Sequence, residues 1–121
     1  MISELLISAI MIVESGGNAD KIGSHGEVGP LQIRQCVVDD VNRIYKTNFT
    51  IDQMRETQKA VTVMVCYLEY YCDPKKLGRE PTAKDYALCW NRGPSFHEMG
   101  AVEVANNSYW RTVASHLHEQ T

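Results

Sequence analysis

Apolar residues recur along this chain at helical rather than strand spacing. Ile2, Leu5, Leu6, Ala9, Ile10 and Val13 fall at the three- and four-residue steps of one helical face. Ile7 and Met11 lie on another face, so this first helix is apolar nearly all round, the pattern of a helix buried in a core. Ser3 suits its N-cap. Gly16-Gly17 supplies a stop, because glycine accepts the left-handed backbone that ends many helices. A second helix is predicted over residues 35–45, with Val37, Val41, Ile44 and Tyr45 on one face. Thr50 caps a short helix through Met54. The longest later helix covers residues 56–71, with Val61, Met64, Val65, Leu68 and Cys72 in register. Residues 73–81 read as a polar connector with a proline toward each end. Thr82 and Asp85 resemble a capping box that opens a helix through Trp90. Residues 95–106 read as a loop or a short irregular helix. Asn107 or Ser108 starts a last helix, with Trp110, Val113, Ala114 and Leu117 on one stripe. No segment alternates clearly, although a short hairpin fits within residues 18–29. The predicted class is all-α, with at most a minor β-hairpin, in a single domain spanning residues 1–121.

The helical pattern is interrupted between Glu14 and Ile33 by a polar, glycine-rich loop. Glu14 falls in the last turn of the first helix. Burial disfavours its carboxylate, and so does the negative end of the helix dipole. Both effects raise its pKa and favour a protonated acid near neutral pH. An acid poised between an apolar helix and an open loop suits cleavage of a glycosidic bond. The plainer reading is a solvated glutamate at a fraying helix end.

Four stretches of the chain carry a resemblance. Glu14-Ser15-Gly16-Gly17-Asn18 resembles the Glu-Ser signature of the lytic transglycosylase domain of the soluble, lysozyme-like type, in the goose-type lysozyme superfamily. Gly29-Pro30-Leu31-Gln32-Ile33 resembles that family's Gly-Leu-Met-Gln-Ile segment, at a distance from the first stretch that needs no gap. Trp90-Asn91-Arg92-Gly93-Pro94 is similar to its Tyr-Asn-Ala-Gly-Pro segment. Tyr109, four residues before Val113, stands where the family carries its last motif tyrosine. The motifs keep the family's order over nearly the whole chain. Three departures stand out. Pro30 and Leu31 replace Leu and Met, which reshapes the loop's hydrophobic anchor. Trp90 replaces a tyrosine and removes a phenol. Arg92 replaces a small residue and adds charge near the cleft.

The resemblance implies a lysozyme-like fold with the first helix central and buried. It also implies a peptidoglycan lytic transglycosylase that needs no cofactor. Glu14 would protonate the bond between MurNAc and GlcNAc, while the N-acetyl group of MurNAc stabilises the developing charge. Glu14 would then draw the proton from the C6 hydroxyl and close a 1,6-anhydro ring, without water or a second carboxylate. Ser15 would orient Glu14 or touch the N-acetyl group, and Gln32 would bind sugar or brace the cleft floor. Asn91 would hold the loop beside Glu14, Tyr109 would donate to Glu14, and Trp90 would stack on a sugar face. Each has a plainer alternative: a helix-end polar residue for Ser15, a loop amide satisfied by backbone for Gln32, a turn residue for Asn91, and core aromatics for Tyr109 and Trp90. Two further readings stay open. One is a goose-type muramidase that positions water with Asp20 or Glu27. The other is a non-catalytic wall-binding or assembly domain. The retained Glu14 argues against the latter, and the lack of a second motif carboxylate argues against the former.

Composition narrows the partners. The chain has 121 residues and a net charge of −3, with no basic stripe, which argues against nucleic acid. The expected partner is the glycan strand of peptidoglycan, engaged by a monomer. The N-terminal apolar run is too short to span a bilayer, and it lacks a basic leader and a small-residue cleavage site. No targeting segment is therefore expected, and access to the wall would come from a phage or another export route. Cys36, Cys66, Cys72 and Cys89 contain no Cys-x-x-Cys pair, which argues against structural zinc. They are expected to be small buried hydrophobes with free thiols, with one bridge left open for an oxidising space. His97-Glu98 is followed by Ala101 where a metalloprotease has its second histidine. His116 and His118 point to different faces, and His25 lies near Glu27, so all read as surface histidines without a metal.

Overall fold

Helix α1 spans Glu4–Ser15. The Ser3 hydroxyl accepts from the Leu6 N–H at 3.2 Å, so the expected cap is in place. The helix ends at Gly16 and Gly17, with φ of 65° and 87°. It buries Leu6, Ala9 and Ile10. Leu5 and Ile12 remain 47% and 43% exposed. The expectation of a helix buried all round is corrected here: α1 buries one stripe and turns apolar residues to solvent on the other. Each large side chain in the buried stripe contributes about 1.5–3 kcal/mol.

Helix α2 runs Gln35–Tyr45, as expected, but its buried residues are Val38 and Val41. Tyr45 is exposed, and its hydroxyl donates to the Cys66 carbonyl at 3.0 Å. The predicted face was therefore about one residue out of register. The helix stops at Lys46, which takes a left-handed conformation with φ of 58°. Asn42 closes the turn beyond it: its Nδ2 donates to the Phe49 carbonyl, and its Oδ1 accepts from the Phe49 N–H, both at 2.9 Å.

A 3-10 turn covers Asp52–Arg55. Thr50 and Gln53 bond reciprocally, each side chain accepting from the other's backbone N–H. Helix α3 is Thr57–Tyr71, and it buries Ala60, Val63, Met64, Tyr67 and Leu68. The polar connector contains a single helical turn, α4, at Pro74–Leu77. The Asp73 carboxylate caps it by accepting from the Lys75 N–H at 2.7 Å, and Gly78 ends it. Helix α5, Ala83–Arg92, opens on the predicted Thr82–Asp85 capping box. Another 3-10 turn, Pro94–Glu98, and the short helix α6, Ala101–Ala105, occupy the irregular stretch. Helix α7 is Ser108–Gln120. Asn107 caps it, Oδ1 accepting from the Trp110 N–H at 2.7 Å. Helix α5 packs against the 94–98 turn and against α7.

These observations come from a computed structural model that describes residues 1–120, with side chains through residue 117. The side chain of His118 lies outside the described residues. Among the described residues no strand forms, and the chain is all-α. The place where a hairpin was expected holds only isolated antiparallel bridges, Ile22 to Val28 and Val28 to Ile33. The chain divides into two compact units, Met11–Tyr67 and Met1–Ile10 with the residues from Leu68 onward. The first unit has Leu31, Ile33, Val38, Val41, Met54 and Met64 among its buried residues. The second has Leu6, Ile10, Leu68, Leu88, Phe96 and Val113. Among the described residues no helix is long and apolar enough to cross a membrane.

Candidate functional site

Glu14, Ser15 and Gln32 belong to the unit Met11–Tyr67. Glu14 is half-buried in the last turn of α1. Its backbone carbonyl accepts from Lys21 Nζ at 2.8 Å. A cation from the loop thus sits where the helix carries its partial negative charge, and α1 itself has no basic residue in its last turn.

Ser15 ties the end of α1 to the second motif. Its hydroxyl lies 2.7 Å from the Pro30 carbonyl and 3.2 Å from the Met11 carbonyl, and it accepts from the Gly17 N–H at 3.0 Å. A hydroxyl has one proton, so the shorter Pro30 contact has first claim on it. Ser15 therefore acts on the loop, with its one proton engaged within the protein. Pro30 and Leu31, the departures from the family pattern, are fully buried and form the apolar anchor of this loop.

Gln32 has φ of 52°, the left-handed region that a side chain of its size rarely enters. Its Nε2 donates to the Gly29 carbonyl at 2.8 Å and to the Lys21 carbonyl at 3.1 Å. The Lys21 carbonyl also accepts from the Gly29 N–H at 2.9 Å. Both amide hydrogens of Gln32 thus brace the loop.

Gly23, Glu27 and Lys21 are contributors that the motifs did not single out. A Cβ on Gly23 would lie 2.7 Å from Gln32 Oε1 and 2.8 Å from Glu27 Oε1, so glycine makes room for both side chains. Glu27 Oε1 accepts from the His25 N–H at 2.7 Å. The Glu27 carboxyl is held below the usual carboxylate range chiefly by its own backbone N–H. Burial opposes this, and the His25 N–H and the Arg34 charge add to it. Of the two loop carboxylates, Glu27 is half-buried and Asp20 exposed.

Trp90, Asn91 and Tyr109 belong to the other unit. Trp90 and Asn91 lie in the last turn of α5, Trp90 half-buried and Asn91 exposed. Gly93 follows with φ of 89°. Arg92 pairs with Glu103 at 3.6 Å, so the added charge has an acidic partner. Tyr109 is half-buried in the first turn of α7. Asn91, expected in the turn after a helix ending at Trp90, lies inside α5 instead, and Ser15 joins two of the stretches directly.

The unit from Leu68 onward also contains an open cavity of about 840 Å³, whose apolar lining includes Leu88, Phe96, Met99 and Trp110. Arg79 and Asp85 stand at its wall, paired at 2.5 and 2.8 Å. None of the motif residues lines it. Sequence reasoning missed this cavity because residues from α4, α5, the 94–98 turn, α6 and α7 form it. Cys72 and Cys89 are buried as expected, but Cys36 is exposed and Cys66 only half-buried. Cys36 corrects the reading of all four as buried hydrophobes. Among the described residues no group of three or more His, Cys, Asp and Glu side chains is arranged to hold a metal ion. No protein-family model matches this chain, and no curated protein matches it.

Proposed function

We propose that this protein is a peptidoglycan lytic transglycosylase of lysozyme-like fold, with Glu14 acting as acid and then as base. The observation that supports the reading is the 2.7 Å bond from Ser15 to the Pro30 carbonyl. It joins the Glu-Ser stretch to the Gly-Pro-Leu-Gln-Ile stretch, the two whose spacing needs no gap against the family. Glu14 gives its proton to the glycosidic oxygen, and the bond to the MurNAc anomeric carbon breaks. The N-acetyl oxygen of MurNAc stabilises the cationic carbon. Glu14, now a carboxylate, takes the C6 hydroxyl proton as that oxygen bonds to the anomeric carbon, and the carboxylic acid is restored. Ser15 and Gln32 hold the loop, and Gln32 Oε1 accepts from the sugar. The roles of Asn91, Trp90 and Tyr109, as loop support, stacking platform and donor to Glu14, are those that the resemblance implies. The substrate places the work at the bacterial wall, reached through a phage or an export route.

The second reading, hydrolysis, draws on Glu27, an ionised carboxylate fixed in the same loop. Mass spectrometry of muropeptides released from purified peptidoglycan separates the readings. Transglycosylation leaves 1,6-anhydroMurNAc ends, lighter by one water than the reducing ends that hydrolysis leaves. Exclusive reducing ends would replace the proposal with a muramidase. No release at all would replace it with a non-catalytic wall-binding domain.

A further inference from the structure

Two of the four cysteines meet in the unit from Leu68 onward, and no motif accounts for them. Cys72 follows the C-terminal end of α3, and Cys89 lies in α5. They are 1% and 0% exposed. Cys72 Sγ lies 3.9 Å from the carbonyl oxygen of Asp85. Asp85 is one helical turn before Cys89, so the two occupy the same face of α5. The Cys72 side chain thus reaches the stretch of α5 that carries Cys89. The other two cysteines, in α2 and in the part of α3 before Leu68, fall in the other unit.

We propose that Cys72 and Cys89 are a disulfide site, closed when the protein folds in an oxidising compartment. The oxidant is a small-molecule disulfide such as oxidised glutathione. One cysteine, as its thiolate, attacks a glutathione sulfur. A mixed disulfide forms and one glutathione thiolate leaves. The second cysteine then attacks the protein sulfur of that mixed disulfide and expels the second glutathione. Two protein thiols are oxidised, one glutathione disulfide is reduced to two thiols, and the two cysteine protons pass to the glutathione thiolates. With the Cys72 sulfur at the Asp85 carbonyl, one helical turn from Cys89 in the same buried region, the two sulfurs are placed to close to the S–S bond length of about 2.05 Å. The bond would pin the end of α3 to α5 across the α4 connector. In the closed fold the hydrogen bond to Cys72, and then burial, push the Cys89 thiol up and disfavour its thiolate. Exchange therefore belongs to the folding chain, before these residues are buried. This site stands whether or not the chain cleaves peptidoglycan.

The test refolds the full chain in glutathione buffers of graded redox poise, followed by alkylation under denaturing conditions and peptide mapping. Under oxidising conditions a peptide containing Cys72 should be linked to one containing Cys89, with loss of two hydrogens from the intact mass. The two residues are seventeen positions apart, and closing a loop of that size should raise the melting temperature by on the order of 10 °C. The Cys36→Ser/Cys66→Ser variant should keep both the link and the shift, and it avoids altering the buried pair. A link from Cys72 or Cys89 to Cys36 or Cys66, or thiols at 72 and 89 that remain fully alkylatable under oxidising conditions, would overturn the proposal.

Discussion

Gly29 combines φ of 85° with a backbone approach that leaves no room for a side chain. A Cβ there would lie 1.9 Å from the Met54 carbonyl oxygen. The left-handed conformation alone costs a non-glycine residue about 1–2 kcal/mol, and the clash adds the displacement of the turn that carries the buried Met54. Gly29→Ala should therefore destabilise the protein by about 3 kcal/mol or more, read from urea unfolding. At Glu14 the expectation is chemical. Glu14→Gln should keep the melting temperature and lower the rate of peptidoglycan cleavage by roughly two to four orders of magnitude; a variant that clears wall preparations at the native rate would remove Glu14 from the mechanism. Tyr109→Phe tests the role of donor to Glu14 that the resemblance implies for Tyr109. A phenol stabilises the ionised carboxylate, so its loss raises the pKa of the acid. Activity requires the protonated form at the first step, so the descending limb of the pH–rate profile should move upward. The shift should be about one pH unit, matching one hydrogen bond to a charged group at about 1.5 kcal/mol. An unmoved profile would leave Tyr109 a packing aromatic.

Helix α5 shows how a short element is held at its entry. The Asp85 carboxylate accepts from the Thr82 N–H and hydroxyl and from Arg79, while being only 6% exposed. Burial, the largest effect, pushes its pKa up, but the bonds from Arg79 and Thr82 outweigh it and leave the carboxyl below its ordinary 3.8. A depressed carboxyl adds stability that is fully present above the unfolded value and is lost as pH falls through the folded one. The stability gap between the native protein and Asp85→Asn should thus be widest at neutral pH and should narrow below about 3.8. Urea unfolding at pH 7 and in acid measures it, and a gap unchanged in acid would contradict the assignment. This cap was legible in the sequence because its partners are three residues apart. The same holds for Ser3 and for Thr50. The buried face of α2 was not legible, since Val37 and Val38 are chemically equivalent and only tertiary packing chooses between them. Helix α4 escaped because four residues give no period. The loop partners of Gln32 escaped because Lys21 lies eleven residues away and offers only its backbone.

At the level of the whole molecule, the chain divides inside α1 and inside α3, so one unit, Met11–Tyr67, is continuous and the other joins Met1–Ile10 to the residues from Leu68 onward. Helical periodicity reveals elements but not such a division. The stretches that carry the resemblance are each local in sequence, and Ser15 shows how two of them meet. The loop that follows Ser15 has a further consequence for motion. Residues 18–33 have no strand, yet the Lys21 carbonyl receives two donors, the Gly23 N–H bonds to the Glu27 carbonyl at 2.8 Å, and Val28 and Ile33 exchange both backbone bonds at 2.9 and 3.0 Å. Breaking the Lys21 junction releases the Gly29 amide and Gln32 together. Such a segment should open as one cooperative piece rather than fray from an end. Native-state hydrogen–deuterium exchange should give the Gly23, Val28, Gly29 and Ile33 amides one common opening free energy. Gln32→Ala should lower all four together, while the amides of α5 keep their own rate.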